Sequence, residues 1–112
     1  MKDENRNMAL GYLETALMLN RSIAKLRKKK AEAKRKCDRT DLDRRIEALE
    51  CNYYDNMLYV RALRESLSEE ELELAKQADA EIKAPYIERT EHQREQNRKY
   101  NARRKEKKKG LG

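Results

Sequence analysis

The chain has 112 residues and a formal net charge of +7, with 44% charged and 38% hydrophobic side chains, six Tyr as the only aromatics, three Gly and one Pro. This is one domain at most, and the apolar fraction is too low for a thick globular core. So few turn residues exclude a sandwich, a barrel or a βαβ fold and leave an all-α chain of long, coiled-coil-like helices.

From Tyr12 onward, apolar residues recur at alternating steps of four and three: Tyr12, Ala16, Leu19, Ile23, Leu26, then Lys30, Ala33 and Cys37. This heptad stripe predicts a first helix over about residues 4–36. A second line, Leu10, Leu13, Leu17 and Ala24, widens its apolar face. Thr40-Asp41-Leu42-Asp43 is a weak capping box, and Leu42, Ile46, Leu49, Tyr53, Asn56, Val60, Leu63 and Leu67 repeat the four-three spacing, predicting a second helix over 41–65. The short connection at 38–40 makes the two helices antiparallel neighbours, with Asn56 at a seam position where a buried amide can fix register. Leu67-Ser68-Glu69-Glu70-Glu71-Leu72 is a stronger start signal. Ser68 is the N-cap, Glu71 sits at N3, and Leu67 and Leu72 form a hydrophobic staple. The third helix, over 69–83, has a thin stripe of Leu72, Ala75, Ala78 and Ile82, and Pro85 is expected to break or kink the chain. The expected organisation is therefore residues 1–84 as a helical hairpin with a third helix packed on it, and 85–112 as a basic helical or frayed tail.

No apolar run exceeds four residues (Ala16–Leu19), so neither a membrane span nor a signal peptide is expected. Cys37 and Cys51 are too few for a disulfide framework, which fits a reducing, cytoplasmic setting, with both thiols as small fillers at or beside the seams. Without a CxxC pair, and with His92 the only histidine, no metal or other cofactor is expected. The chain has no GxSxG, no glycine-rich phosphate loop and no HExxH, so it is not expected to be an enzyme.

Charge is segregated along the chain: residues 1–37 carry a net +7, 38–67 carry −2, 68–85 carry −4 and 86–112 carry +6. Two blocks account for the positive ends. One is Lys25, Arg27, Lys28, Lys29, Lys30, Lys34, Arg35 and Lys36; the other is Arg98, Lys99, Arg103, Arg104, Lys105, Lys107, Lys108 and Lys109. The acids of residues 68–85 are too few to neutralise both, which leaves a surface for a polyanion, and phosphates release counterions when Lys and Arg replace them. The expected function is non-specific DNA or RNA binding through the two blocks. The alternative is a protein-interaction or inhibitory accessory protein, of the kind a phage or mobile element encodes, acting on a nucleic-acid machine. Tyr54 and Tyr59, off the heptad line, are its candidate partner contacts or else a second layer of packing. A homodimer is compatible with both readings, because a four-helix arrangement covers the second stripe of the first helix. A membrane-surface role is not expected, since the basic faces carry no Trp or Phe.

The stretch Gln96-Asn97-Arg98-Lys99 with the basic residues after it resembles the end of a homeodomain recognition helix over about ten residues. The Trp-Phe anchor of that helix is missing, and no leucine zipper follows to support the similar spacing of a bZIP basic region. A helix-turn-helix over 69–102 has Ala84-Pro85 where a Gly turn belongs. None of these motifs is adopted.

Overall fold

The computed structural model describes the backbone of residues 2–110 and the side chains of residues 3–105. The architecture is all-α: α1 (Lys2–Glu32), α2 (Lys36–Ala62), one 3-10 turn (Arg64–Ser66) and α3 (Glu69–Gly110). The chain divides into two compact units, Met1–Ile82 and Lys83–Gly112, so α3 contributes its opening turns to the first and the remainder to the second. In the first unit α1 and α2 pack extensively as a hairpin, and α3 contacts α1 less.

The hairpin turns earlier than the capping signal implies. The connection is Ala33-Lys34-Arg35, and α2 begins at Lys36 on an extended Arg35 (φ −88°, ψ 136°) with no side-chain cap. Thr40 is not a cap; its hydroxyl donates back to the Lys36 carbonyl at 3.0 Å inside the helix. Packing explains the position. Matching the buried residues of α1 with those of α2 in reverse order pairs Ile23 with Ile46, Ala16 with Tyr53, Leu13 with Met57 and Ala9 with Val60. The midpoint of each pair falls between residues 34 and 35 or at 35, so the core sets the turn and the weak cap is overridden.

The seam is also rotated from the expected stripe. On α1 the fully buried line is Ala9, Leu13, Ala16, Asn20 and Ile23, while Tyr12, Leu19 and Leu26 are only partly buried against it. On α2 the line is Ile46, Glu50, Tyr53, Met57 and Val60, with Leu49 and Leu63 partly buried. The cause is the third helix. A helix with two neighbours buries most deeply the residues between its two contact edges, not those on either edge. Arg6, Asn20 and Arg27, spaced by multiples of seven and therefore on one edge of α1, all bond to α3 or the turn before it. α3 thus lies along the flank of the second stripe at Leu10, Leu13 and Leu17, while Ala24, its last member, is exposed. Asn56, half-buried, donates to the Asn52 carbonyl of its own helix at 2.8 Å and bridges no seam. Both cysteines lie on α2 and are exposed, so neither fills a seam.

α3 starts as its sequence dictates. The Ser68 N–H donates to Glu71 Oε1 at 2.8 Å and the Glu71 N–H to Ser68 Oγ at 3.2 Å, a closed capping box, with Leu67 buried beside it. Its apolar stripe is the expected one: Ala75, Ala78 and Ile82 are buried and Leu72 packs on the core. So thin a stripe is supplemented by polar ties. Arg6 grips Glu71 with both nitrogens (3.1 and 3.4 Å), Asn20 donates to Glu81 at 2.7 Å, and Tyr53 and Arg61 share Asp79. Among the described residues no buried side-chain nitrogen or oxygen lacks a partner.

Pro85 does not end α3, contrary to expectation. Proline has no N–H to offer the carbonyl four residues back, here that of Glu81. Arg27 supplies the missing donor: Nη1 reaches the Glu81 carbonyl at 3.2 Å, and Nη2 also reaches the Ile82 carbonyl at 2.9 Å. Glu50 balances the guanidinium at 3.1 Å. With its orphaned carbonyl satisfied by another helix, α3 continues to Gly110, and of the two expected forms of the tail the helical one is observed. Residues 86–109, rich in Glu, Gln, Lys and Arg and free of Gly and Pro, suit a helix. In the second unit Lys99 pairs with Glu95 at 3.8 Å.

Candidate nucleic-acid interface

The early turn decides where the first basic block goes. Lys25 to Lys30 occupy the last turns of α1, Lys34 and Arg35 the connection, and Lys36 the first residue of α2, so the block surrounds the closed tip of the hairpin. Successive residues point about 100° apart around a helix, so the run Arg27-Lys28-Lys29-Lys30 cannot form one face. Arg27 and Lys30 turn inward. Arg27 is held by Glu50 and the two α3 carbonyls, and Lys30 by Asp43 across the hairpin. Lys25, Lys28, Lys29, Lys34, Arg35 and Lys36 are exposed, and none forms an ion pair with another described residue.

Three further cations join them that the linear count missed. Because α2 begins at Lys36, its opening turns carry Arg39, Arg44 and Arg45 to the same tip, all exposed. Arg45 is drawn at 3.7 Å to Asp41, a contact between exposed groups that contributes little. Lys36 and Arg44 share a shallow groove with Cys37, Thr40 and Asp41. The signal for these arginines was available only through the position of the turn, since in sequence they fall among Asp38, Asp41 and Asp43. Placing Arg35 and Lys36 at a helix start is electrostatically unfavourable, because that end carries partial positive charge and suits an anion.

The second block lies in the second unit. Arg98, Lys99, Arg103, Arg104 and Lys105 are exposed on α3 and point to all sides of the helix; the side chains of Lys107, Lys108 and Lys109 lie outside the described residues. Within the first unit, three side-chain carboxylates of the acidic segment are taken by residues outside the first block. Glu71 takes Arg6, Asp79 takes Arg61 and Tyr53, and Glu81 takes Asn20.

Tyr54 and Tyr59 do not form one surface. Tyr59 stacks on Tyr12 of α1, with centroids 4.5 Å apart and planes 14° from parallel. Tyr54 meets Tyr53 edge-on at 5.5 Å, and partial burial, with Glu50 nearby, raises its phenol above the ordinary range. Among the described residues no group of three or more His, Cys, Asp and Glu is placed to hold a metal, and no helix is long and apolar enough to cross a membrane. No family model, curated protein or solved structure matches the chain.

Proposed function

We propose that the protein binds nucleic acid non-specifically, with the hairpin tip as the principal contact and the basic residues of α3 as a second one. One observation carries this reading. The tip concentrates six exposed cations of the first block, none ion-paired among the described residues, and adds Arg39 and Arg44, so that cations outnumber the exposed acids Glu32, Asp38 and Asp41 there. A rigid hairpin that ends in a knob of Lys and Arg can place several ammonium and guanidinium groups against adjacent phosphates without ordering new chain. Recognition of this kind reads backbone charge and not base edges, so little sequence preference is expected. The protein acts as a binding module in a reducing compartment, without chemistry of its own. The exposed thiols of Cys37 and Cys51 suit that setting.

The test is fluorescence anisotropy with a labelled duplex and a labelled single strand at three salt concentrations. The slope of log K against log salt is about −0.9 per phosphate contacted on duplex DNA and about −0.7 on single strands. Changing Lys28, Lys29 and Lys34 together to Gln should make the slope shallower by two to three contacts' worth, with circular dichroism unchanged. Removing residues 98–112 should do so separately. Equal slopes for wild type and both variants would show the two blocks to be solubilising charge.

A further inference from the structure

Within the first unit, α3 covers one side of the hairpin and leaves the other side bare. Arg6, Asn20 and Arg27 mark the covered edge of α1, and Glu50, Tyr53 and Arg61 that of α2. Across the seam from them, the heptad positions of α1 are Met8, Tyr12, Thr15, Leu19, Ser22 and Leu26. The matching row on α2 is Leu49, Asn52, Asn56, Tyr59 and Leu63. The Tyr12–Tyr59 stack shows that the two rows meet on this side. In a chain of 44% charged residues, neither row contains a charge. Met8 and Tyr59 are about half exposed, at 51% and 53%, and Tyr12, Leu19, Leu26, Leu49 and Leu63 are only partly buried. An uncharged two-helix face that leaves large apolar side chains half exposed in so charged a chain marks an interaction site.

The charge distribution along the hairpin identifies the occupant. The closed tip is strongly positive, with Lys28, Lys29, Lys34, Lys36 and Arg39 exposed. The open end is negative. Asp3, Glu4, Glu65, Glu69 and Glu70 are exposed there, while Arg6 and Arg61 are already paired to Glu71 and Asp79, leaving Arg64 among the described side chains. We infer that a second copy of this chain docks on the bare face, antiparallel, so that each basic tip lies over the acidic open end of its partner. A two-fold axis across the helices packs the uncharged α1 and α2 rows on their own counterparts in a four-helix core. The other two-fold arrangement, parallel, brings the two basic tips together and is opposed by their repulsion. The inference does not depend on nucleic-acid binding, and the measurement uses protein freed of nucleic acid.

Sedimentation equilibrium of the full chain at tens of micromolar should give twice 13.4 kDa. The Met8→Glu/Tyr59→Glu double variant, altering two half-exposed positions, should sediment as the monomer with unchanged helicity. A monomeric wild type, or a double variant that keeps the wild-type mass, would overturn the inference. Orientation is read from a spin label on Cys37 in a Cys51→Ser background. Antiparallel tips place the labels about 50 Å apart, taking about 1.5 Å per residue from the middle of the face. A short distance would show the parallel arrangement and overturn the antiparallel one. The same salt titration of nucleic-acid binding can succeed or fail without altering these results.

Discussion

The Tyr53 hydroxyl donates a hydrogen bond of 2.7 Å to Asp79 Oδ1, while Arg61 approaches Asp79 Oδ2 at 3.2 Å. Tyr53 is fully buried on α2 and Asp79 lies on α3, so this pair fastens a helix whose own apolar stripe is thin, half of it alanine. Tyr53→Phe should cost about 1.5–3 kcal/mol, the usual worth of a hydrogen bond to a charged group. Asp79→Ala should cost more, because it strands a buried hydroxyl and the partnered Arg61 together. Urea unfolding followed by circular dichroism measures both. Wild-type stability in Asp79→Ala would show that the Asp79 contacts do not help hold α3.

The same pair makes stability fall in alkali. Burial first, and then the Asp79 carboxylate, push the Tyr53 phenol far above its ordinary range. The neutral form is therefore favoured in the folded state. Its contribution is complete below the unfolded value of about 10 and declines as pH rises past it, at about 1.4 kcal/mol per pH unit for one proton. Subtracting the Tyr53→Phe profile from wild type between pH 9 and 11.5 isolates this slope from the titration of lysines. Parallel profiles would contradict the assignment. At the acid end, the Ser68 backbone hydrogen bond, aided by the Ser68 hydroxyl and Arg6, holds the Glu71 carboxyl below the usual range. Its contribution is present above the ordinary carboxylate range and lost on acidification, a dependence that Glu71→Gln should abolish.

Arg27 and Pro85 should be energetically coupled. With Pro85→Ala the residue 85 N–H can serve the Glu81 carbonyl, and Arg27 becomes less necessary. A double-mutant cycle of Arg27→Ala and Pro85→Ala is expected to show an interaction of about 0.5–3 kcal/mol, with Arg27→Ala costing less in the alanine background. Additive effects would mean that the Arg27 contacts to α3 do not compensate for the proline.

The rotated seam separates two residues that the heptad pattern treats alike. Ile23 is fully buried, and Ile23→Asp should unfold the protein, since an unpaired charge there costs several kcal/mol. Leu19 lies at the edge of the bare face, and Leu19→Asp should leave a measurable melting transition. Similar behaviour in thermal melts would place both in one seam.

Features fixed by neighbouring residues were legible in the sequence, and features fixed by tertiary contact were not. The Ser68–Glu71 capping box and the Ala75–Ala78–Ile82 stripe needed only local chemistry. The turn at 33–35 contains neither Gly nor Pro, so only the pairing of two distant buried lines locates it. Nothing in the sequence near Asn20 and Glu50 marks them as buried, because their partners, Glu81 and Arg27, come from elsewhere in the fold. The two basic blocks could be read from the sequence. That Arg27 and Lys30 are absorbed into the structure, while Arg39 and Arg44 join the tip, depended on a turn whose place the sequence leaves ambiguous.

A three-residue connection inside a cluster of cations also bears on how quickly the chain folds. Most contacts of the hairpin are closed by zipping outward from residues 33–35, a short loop with low closure entropy, which favours rapid folding. Like charges gather at that nucleus, so repulsion is concentrated where the first turns of α1 and α2 must meet. Added salt should therefore speed folding more than it slows unfolding, and a bound polyanion should act on the folding rate in the same direction.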